Sequence, residues 1–241
     1  MADASLTLSL IIPTYNQRAR SLRAATTAMG FLRERFGERA ELIMVDDGST
    51  APQAMTEADL PAGTVLVRHA QNLGKGGAVR SGMARARGAH MVFTDSDLPF
   101  SLEPLATTVA WLEDDADIVI GDRLHPESEA AIDVTAARRA SSVAYTWMVK
   151  HVLGLDFPDT QCGYKGYRAA AARDLFPRLE VTSFAFDVEI LLRARKAGYR
   201  LRRQPLRLVH DEDSSVRLSR HAPRMVSDIL RIAWRARRGR Y

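Results

Sequence analysis

The sequence predicts an α/β fold with a mostly parallel sheet flanked by helices, on the evidence of two patterns. Short apolar runs rich in β-branched residues alternate with longer amphipathic stretches, as parallel strands alternate with crossover helices. With 241 residues, 46% of them hydrophobic, the chain is long enough to bury the core of one large domain. The predicted strands are residues 8–12, 42–45, 65–67, 91–93 and 118–120.

Glycines mark the ends of the first two predicted crossover helices. The first helix carries its apolar residues on one face and ends at Gly37. The second runs from about Gly77 to Arg87 and ends at Gly88. Helices placed between strands in this way are typical of the crossovers of a parallel sheet.

The C-terminal part of the chain is basic and amphipathic. The formal net charge is +5, from 34 basic and 29 acidic residues, and most of the excess lies after Arg200. Pro223 can begin a helix whose apolar face is surrounded by arginines. Such a helix lies on an anionic membrane, packs on the domain, or does both. We expect a main domain over residues 1–218 and this basic helix over residues 219–241.

Composition and apolar run lengths indicate a reducing compartment and no membrane span. Cys162 is the only cysteine, which excludes an internal disulfide and a multi-cysteine zinc site. No apolar run approaches the ~20 residues that span a bilayer, and residues 1–10 lack the features of a signal peptide. We expect a cytoplasmic protein, peripheral on the inner face of the membrane.

Polar motifs follow four of the predicted strands. In open α/β sheets, ligands bind beyond the carboxyl ends of the strands, so we expect these motifs to lie at one rim. The motifs are Pro13-Thr14-Tyr15-Asn16, Asp46-Asp47-Gly48-Ser49, Asn72-Leu73-Gly74-Lys75-Gly76-Gly77 and Asp95-Ser96-Asp97.

The pair Asp95 and Asp97 follows a strand directly, with one small residue between the carboxylates. One carboxylate can bind a divalent cation while the other binds the cation or a sugar. Hard oxygen ligands select Mg²⁺ or Mn²⁺. An acidic turn after a strand gives the same tripeptide, so the pair alone leaves both interpretations open.

The second and third motifs contain groups that suit a nucleotide. Asp46 and Asp47 can accept hydrogen bonds from a base or a ribose, although an Asp-Gly turn in which Ser49 caps a helix is the structural alternative. Lys75 lies in a glycine-rich turn before a helix, where backbone N–H groups and an ammonium can bind an anion. The loop matches neither a Walker A nor a dinucleotide-binding pattern, which disfavours a kinase or a dehydrogenase.

Taken in order, the four motifs resemble the GT-A fold of glycosyltransferase family 2. Residues 159–165 and 186–189 resemble the branch that transfers sugars onto polyprenyl phosphates, especially dolichyl-phosphate glucosyltransferases, which are related to dolichyl-phosphate mannosyltransferases. The resemblance covers nearly the whole chain and implies an inverting, metal-dependent enzyme. It would move a hexose, glucose from UDP-glucose before mannose from GDP-mannose, onto polyprenyl phosphate.

The resemblance also implies roles for individual residues, within a catalytic domain over residues 1–218. The implied catalytic residues are Asp95, Asp97 and Asp159, and the implied ligands of Mg²⁺ or Mn²⁺ are Asp95, Asp97 and Gln161. The implied nucleotide-sugar contacts are Pro13, Tyr15, Asn16, Asp46, Asp47, Lys75, Gly76, Asp95 and Ser96. The implied acceptor-phosphate contacts are Arg123, Arg138 and Ser142, with the register between Arg138 and Arg139 open.

The acceptor can be argued from charge. A prenyl monophosphate has a second pKa near ~6, so at neutral pH it is already an anionic nucleophile that needs cations more than a general base. A solvated basic helix face is the structural alternative for the arginines.

Two other functions remain open. A family 2 enzyme with a soluble hydroxyl acceptor would need Asp159 or Asp187 as a base. A nucleic-acid-binding protein would use the arginine-rich tail, but it leaves the paired carboxylates unexplained, so we expect no nucleic-acid partner.

Overall fold

The computed structural model describes the backbone of residues 6–129, 136–209 and 218–241, and the side chains of the same residues except 136–141 and 218–223. Within these ranges, seven strands form one sheet. The strands are β1 (Leu8–Thr14), β2 (Ala40–Asp46), β3 (Val65–Arg68), β4 (His90–Thr94), β5 (Ile118–Asp122), β6 (Tyr164–Arg168) and β7 (Leu201–Pro205). Their order is β3-β2-β1-β4-β6-β5-β7, and β6 runs antiparallel to both of its neighbours.

The predicted α/β class is confirmed, and each of the five predicted strands lies within one of β1 to β5. The apolar pattern does not predict β6 and β7. β6 carries Lys165 and Arg168, and β7, at the edge of the sheet, carries Arg202 and Arg203, so neither reads as an apolar run. Because β6 is antiparallel to β4 and β5, the sheet is mixed rather than wholly parallel.

Seven α-helices cover the two faces of the sheet in the described part of the chain. They are α1 (Arg18–Phe36), α2 (Lys75–Arg85), α3 (Pro104–Asp114), α4 (Ala136–Leu153), α5 (Ala169–Leu175), α6 (Phe186–Lys196) and α7 (Leu218–Arg237). The end of α1 at Gly37 is as predicted. α2 begins before the predicted Gly77, because Gly74, with φ 88°, already turns the chain into the helix.

The core has a layer on each face of the sheet. Along β1, Ile11 packs into the larger layer, whereas Leu10 and Ile12 pack into the layer under α1. Consecutive strand residues point to opposite faces, so a strand buried on both sides favours a run of consecutive apolar residues. This preference is the reason that the central strands are visible in the sequence.

The C-terminal helix shares the core of the main domain. Ile229, Ile232 and Ala233 of α7 are at most 2% exposed and belong to the larger core layer. α7 begins at Leu218, five residues before the predicted Pro223. Of the alternatives that the sequence leaves open for this helix, packing on the domain is therefore present. No helix in the described part of the chain is long and apolar enough to cross a membrane.

Candidate active site

The motifs after β1, β2 and β4 meet at one rim of the sheet. β1 pairs in parallel with β2 on one side and with β4 on the other, so their carboxyl ends lie together. The Asn16 N–H donates to Ser49 Oγ at 2.8 Å, and the Thr50 N–H donates to Asn16 Oδ1 at 3.0 Å. The first two motifs are thus hydrogen-bonded to each other, as the shared rim requires.

Asp95 lies between a lysine and a glycine. Lys75 Nζ is 2.6 Å from Asp95 Oδ1. On the other side, a Cβ at Gly163 would lie 1.9 Å from Asp95 Oδ2, so the carboxylate packs directly against this glycine. The third, fourth and later motifs therefore converge on one carboxylate.

Asp97 has the properties of an incomplete cation site. Its Oδ1 atom is buried and has no hydrogen-bond partner among the described residues. Burial, and then the neighbouring charge of Asp95, raise the pKa of Asp97 above its ordinary value. A carboxylate in this position is stabilised by a cation, so the two aspartates fit Mg²⁺ or Mn²⁺.

The remaining ligands of a cation would come from elsewhere. Among the described residues, no three His, Cys, Asp or Glu side chains are grouped as a metal site. The predicted third ligand, Gln161, has a buried Nε2 atom without a partner, and the oxygen of the same amide is the atom that could bind a metal. A substrate with anionic oxygens would complete the shell.

Lys75 remains an ammonium at neutral pH. Burial by itself lowers its pKa, but the carboxylates of Asp95, Asp187 and Asp97 more than reverse this and raise the pKa above its usual value. The site therefore holds a permanent positive charge next to its two aspartates.

The glycine-rich loop is packed against residues 182–186. The Gly76 N–H donates to the Thr182 carbonyl at 2.9 Å, and a Cβ at Gly76 would lie 2.5 Å from Phe186 Cβ. A Cβ at Gly74 would lie 2.5 Å from the Thr182 oxygen. We expected backbone N–H groups of this loop to bind an anionic ligand. The N–H of Gly76 cannot do so in this arrangement, because it already donates to the Thr182 carbonyl.

Asp46 and Asp47 both have internal partners. Asp47 Oδ1 accepts from the Leu73 N–H and Oδ2 from the Gly74 N–H, each at 2.9 Å, and His69 Nδ1 is 2.7 Å from Oδ1. Asp46 is fully buried, and its Oδ1 accepts from the Ser49 N–H at 2.9 Å. The predicted nucleotide contacts here are thus occupied by loop hydrogen bonds, and the Asp-Gly turn is present.

Other predicted nucleotide contacts differ in accessibility. Pro13 is buried within β1, whereas Tyr15 and Asn16 are exposed at the rim, Tyr15 by 45%. Ser96 is partly exposed between the two aspartates. Tyr15 and Asn16 are consequently the side chains of the first motif that a ligand can reach.

Arg123 and Asp159 form a two-pronged ion pair. Arg123 Nε lies 2.7 Å from Asp159 Oδ2 and Nη2 lies 2.8 Å from Oδ1, and the Arg123 N–H donates to Oδ2 at 3.2 Å. Burial opposes ionisation of Asp159, yet the hydrogen bonds and charge of Arg123 lower its pKa below the ordinary value. Asp159 is therefore a poor base, and it fixes the guanidinium of Arg123.

The other two predicted phosphate contacts lie on α4. Arg138 is within the helix, but its side chain lies outside the described residues. Ser142, one turn later, is exposed. Both are on α4, which follows Arg123 in the chain.

A second buried ion pair was not predicted. Lys165 Nζ is 2.8 Å from Asp187 Oδ1 and donates to the Cys162 carbonyl at 2.6 Å, with both charged side chains at most 3% exposed. Burial raises the pKa of Asp187, against the effect of Lys165 and Lys75. A lysine within the strand-like sequence Tyr164-Lys165-Gly166-Tyr167 is the signal that indicates such a pair, because a buried lysine needs a carboxylate.

Comparison with known proteins identifies the family. A family model described as Glycosyl transferase family 2 matches residues 9–176, well over half of the chain. This chain belongs to glycosyltransferase family 2. The family 2 assignment agrees with the resemblance of the four rim motifs, and the protein is a glycosyltransferase.

Curated relatives of this glycosyltransferase cover most of its chain. The dolichyl-phosphate beta-glucosyltransferase of Saccharomyces cerevisiae is 31% identical, over 96% of this chain and 76% of the relative. The enzyme of the same name from Drosophila melanogaster is 34% identical, over 78% of this chain and 62% of the relative.

Solved structures share the fold of this glycosyltransferase. Glucosyl-3-phosphoglycerate synthase from Mycobacterium tuberculosis, in complex with Mn²⁺, UDP and glucosyl-3-phosphoglycerate, has a TM-score of 0.65 at 18% identity, over 96% of this chain and 81% of that one. Mannosyl-3-phosphoglycerate synthase from Rubrobacter xylanophilus has a TM-score of 0.67 at 16% identity, over 98% and 76% of the two chains. These neighbours confirm the predicted GT-A fold.

Proposed function

We propose that this glycosyltransferase moves a hexose, with inversion, from a nucleotide-diphosphate sugar to a polyprenyl phosphate. UDP-glucose is the favoured donor, and GDP-mannose is the other candidate. The observation that carries the acceptor class is the pair of Arg123 and Asp159, in which a carboxylate serves to hold a guanidinium at the rim. The names of the dolichyl-phosphate beta-glucosyltransferase relatives support the same acceptor.

Both candidate bases for a hydroxyl acceptor have other partners. Asp159 is bound to Arg123, which lowers its pKa. Asp187 is paired with Lys165 and is 2% exposed, so an acceptor cannot reach it. A neutral hydroxyl needs a base at neutral pH, whereas a phosphate monoester does not. The arrangement therefore favours a phosphate acceptor over a soluble hydroxyl acceptor.

On the donor side, Asp95, Asp97 and Gln161 would hold Mg²⁺ or Mn²⁺. When bound, this ion would neutralise charge on the departing nucleoside diphosphate. The Lys75 ammonium supplies a second positive charge for the same phosphates, while the exposed Tyr15 and Asn16 offer contacts for the base. Asp46 and Asp47 would act mainly by fixing the loops around them.

On the acceptor side, Arg123, Arg138 and Ser142 would bind the lipid phosphate and align one of its oxygens with the anomeric carbon. The bond from that carbon to the donor phosphate breaks as the bond to the acceptor oxygen forms. A single in-line displacement inverts the anomeric centre, so an α-linked donor would give a β-linked lipid-phosphate sugar.

The outer sides of α4 and α7 suit a peripheral membrane contact. Trp147 on α4 is 61% exposed, and Leu230 and Trp234 on α7 are 56% and 46% exposed. The guanidinium of Arg238 lies 4.1 Å from the Trp234 ring centre. Apolar side chains bordered by arginines bind anionic bilayers, so we propose that this side rests on the cytoplasmic face of a membrane.

A donor panel tests the proposal. The full chain would be mixed with Mn²⁺ or Mg²⁺, a short prenyl phosphate and each nucleotide sugar in turn. The mass of the lipid product would be measured by mass spectrometry. We expect one added hexose from UDP-glucose. Folded protein that transfers a hexose to the prenyl phosphate from no donor would contradict the proposal.

A further inference from the structure

We propose that Lys75 is the resident counter-cation of Asp95, and that its ammonium must leave this carboxylate when the metal and the nucleotide sugar bind. This inference rests on the proposed function, because it assigns Asp95 to the metal. It adds a competition: in the donor-free protein the lysine is paired with a carboxylate that the metal needs.

Asp95 packs on a glycine with one oxygen and pairs with a lysine through the other. Oδ2 is packed so closely on Gly163 that a Cβ there would be 1.9 Å away. Oδ1 is the other oxygen, and Lys75 Nζ lies 2.6 Å from it. A divalent cation on Oδ1 would meet the ammonium at short range, where two positive charges repel strongly. Cation and lysine therefore compete for the same carboxylate.

The lysine can leave without any movement of its backbone. The N–H groups of Leu73 and Gly74 donate to Asp47, and that of Gly76 donates to Thr182, each at 2.9 Å, so the loop on both sides of Lys75 is fixed. The four-carbon side chain, in contrast, has rotatable bonds throughout. Only these torsions must change for the ammonium to move.

The nucleoside diphosphate provides the new partner. Two other carboxylates act on Lys75: that of Asp187 is already paired with Lys165 at 2.8 Å, and that of Asp97 would bind the same cation as Asp95. The phosphates of the donor arrive with the cation and carry the charge that an ammonium can bind. The exchange replaces one ion pair by another, so metal alone is disfavoured and metal with nucleotide is favoured. Binding of the two is thereby coupled.

The test measures Mn²⁺ binding to the full chain by the electron paramagnetic resonance signal of free Mn²⁺. Lys75→Met keeps the length of the side chain and removes the charge. Without nucleotide, we expect this variant to bind Mn²⁺ roughly tenfold more tightly than the wild type, because the competing charge is gone. With saturating UDP the order reverses, because the variant has lost its contact with the diphosphate. A purely structural role for Lys75 would weaken both.

Two controls make the comparison specific. Lys75→Arg keeps the charge, and we expect it to retain the weak donor-free affinity. Lys150→Met removes a surface ammonium, one paired with Asp156 at 2.8 Å, and we expect wild-type binding in both conditions. Circular dichroism melting establishes that each variant is folded, and Lys75→Gln takes the place of Lys75→Met if the latter unfolds.

Donor-free Mn²⁺ affinity that is unchanged or weaker in the neutral variants overturns the inference. Failure of the proposed function has a different signature. In that case the wild type shows no gain in Mn²⁺ affinity on addition of any nucleoside diphosphate, and the prenyl phosphate receives no sugar.

Discussion

Ser183 and Asp228 join the C-terminal helix to the glycine-rich loop: the Ser183 hydroxyl donates to Asp228 Oδ2 at 2.5 Å. Ser183 follows Thr182, whose carbonyl accepts from the Gly76 N–H. Arg235, also on α7, contacts Glu180 at 2.8 Å on the same segment. A helix that lies far from Lys75 in sequence thus contacts the segment that packs against the loop of Lys75.

Ser183→Ala tests this connection. The change removes the donor to a buried carboxylate, so we expect the free energy of unfolding to fall by about 1–3 kcal/mol in a urea titration. Thr26→Ala, which removes an exposed hydroxyl on α1, is the control and we expect a change within about 0.5 kcal/mol. Equal effects of the two substitutions would mean that the hydrogen bond contributes nothing.

Asp159→Asn separates a positioning role from that of a base. Asparagine has one acceptor oxygen and cannot accept from both Nε and Nη2 of Arg123. We therefore expect the KM for prenyl phosphate to rise by about tenfold or more, with little change in UDP binding. The pH profile of kcat keeps its shape, because Asp159 transfers no proton. Loss of the acidic limb of that profile would instead identify Asp159 as a base.

The matched control for this experiment is Asp115→Asn. Asp115 pairs with Arg202 at 3.2 Å, and both side chains are well exposed. Exposed pairs contribute little, so we expect kinetics within about twofold of the wild type. Arg123→Gln, in contrast, removes the cation itself, and we expect the larger loss of kcat/KM with the lipid acceptor.

Much of the rim was predictable, because its residue types stand out in the sequence. Asp95 and Asp97 follow an apolar strand, and Lys75 lies among glycines. Their mutual contacts were not predictable, since they depend on the pairing of β1 with β4 and on side-chain torsions. The internal partners of Asp47, likewise, come from a loop more than 20 residues later in the chain.

The strands show the same division. Central strands buried on both faces carry short unbroken apolar runs, so β1, β2 and β4 could be found from residues 10–12, 42–45 and 91–93 alone. β6 could not, because Lys165 interrupts it and is neutralised by Asp187 from a helix on the sheet's face. A tertiary ion pair here overrides the local pattern.

Glu41→Gln tests a pH-dependent link between strands. Glu41 accepts from Ser9 Oγ at 2.7 Å and from Arg87 Nη2 at 2.8 Å. Burial raises its pKa, but these hydrogen bonds lower it below the model-peptide value of 4.5. The carboxylate therefore stabilises the fold above pH 4.5, and this contribution is lost as the pH falls through the lower folded-state pKa.

We expect urea titrations at pH 7 to give Glu41→Gln a free energy of unfolding about 1.5–3 kcal/mol below that of the wild type. The difference shrinks on acidification, because the protonated wild type loses the same interactions. A difference that stays constant between neutral and acidic pH would contradict the assignment.

Vesicle binding tests the membrane-facing side. Replacing Trp147 and Trp234 by serine removes two exposed rings, and we expect sedimentation with anionic vesicles to weaken by more than about tenfold. Arg238→Gln removes one basic group near the surface, and we expect a loss of about fivefold. Arg35→Gln, on α1, is the matched control, and it leaves binding unchanged unless the attraction is diffuse over the whole protein.

Asp97→Asn tests whether the rim is built for a cation at the expense of stability. The wild-type carboxylate has a buried oxygen without a partner, and a neutral amide is less costly to bury there. We expect the variant to be more stable than the wild type at pH 7 in the absence of metal. We expect its affinity for Mn²⁺ in the presence of UDP to fall by more than about 100-fold. Loss of a residue that only supports a metal ligand costs roughly 10–100-fold, and Asp97 is proposed to be a ligand itself.

Asp156→Asn is the control for the change of charge, because Asp156 is exposed and pairs with the surface residue Lys150. We expect this substitution to change neither the stability nor the affinity for Mn²⁺. If Asp97 serves to bind the cation, Asp97→Asn raises the stability of the metal-free protein and lowers its affinity for Mn²⁺. The reason is that a site shaped for a ligand is less stable until the ligand binds. A variant that loses both would show that Asp97 supports the fold itself, since the gain from removing an unpaired buried charge would then be absent.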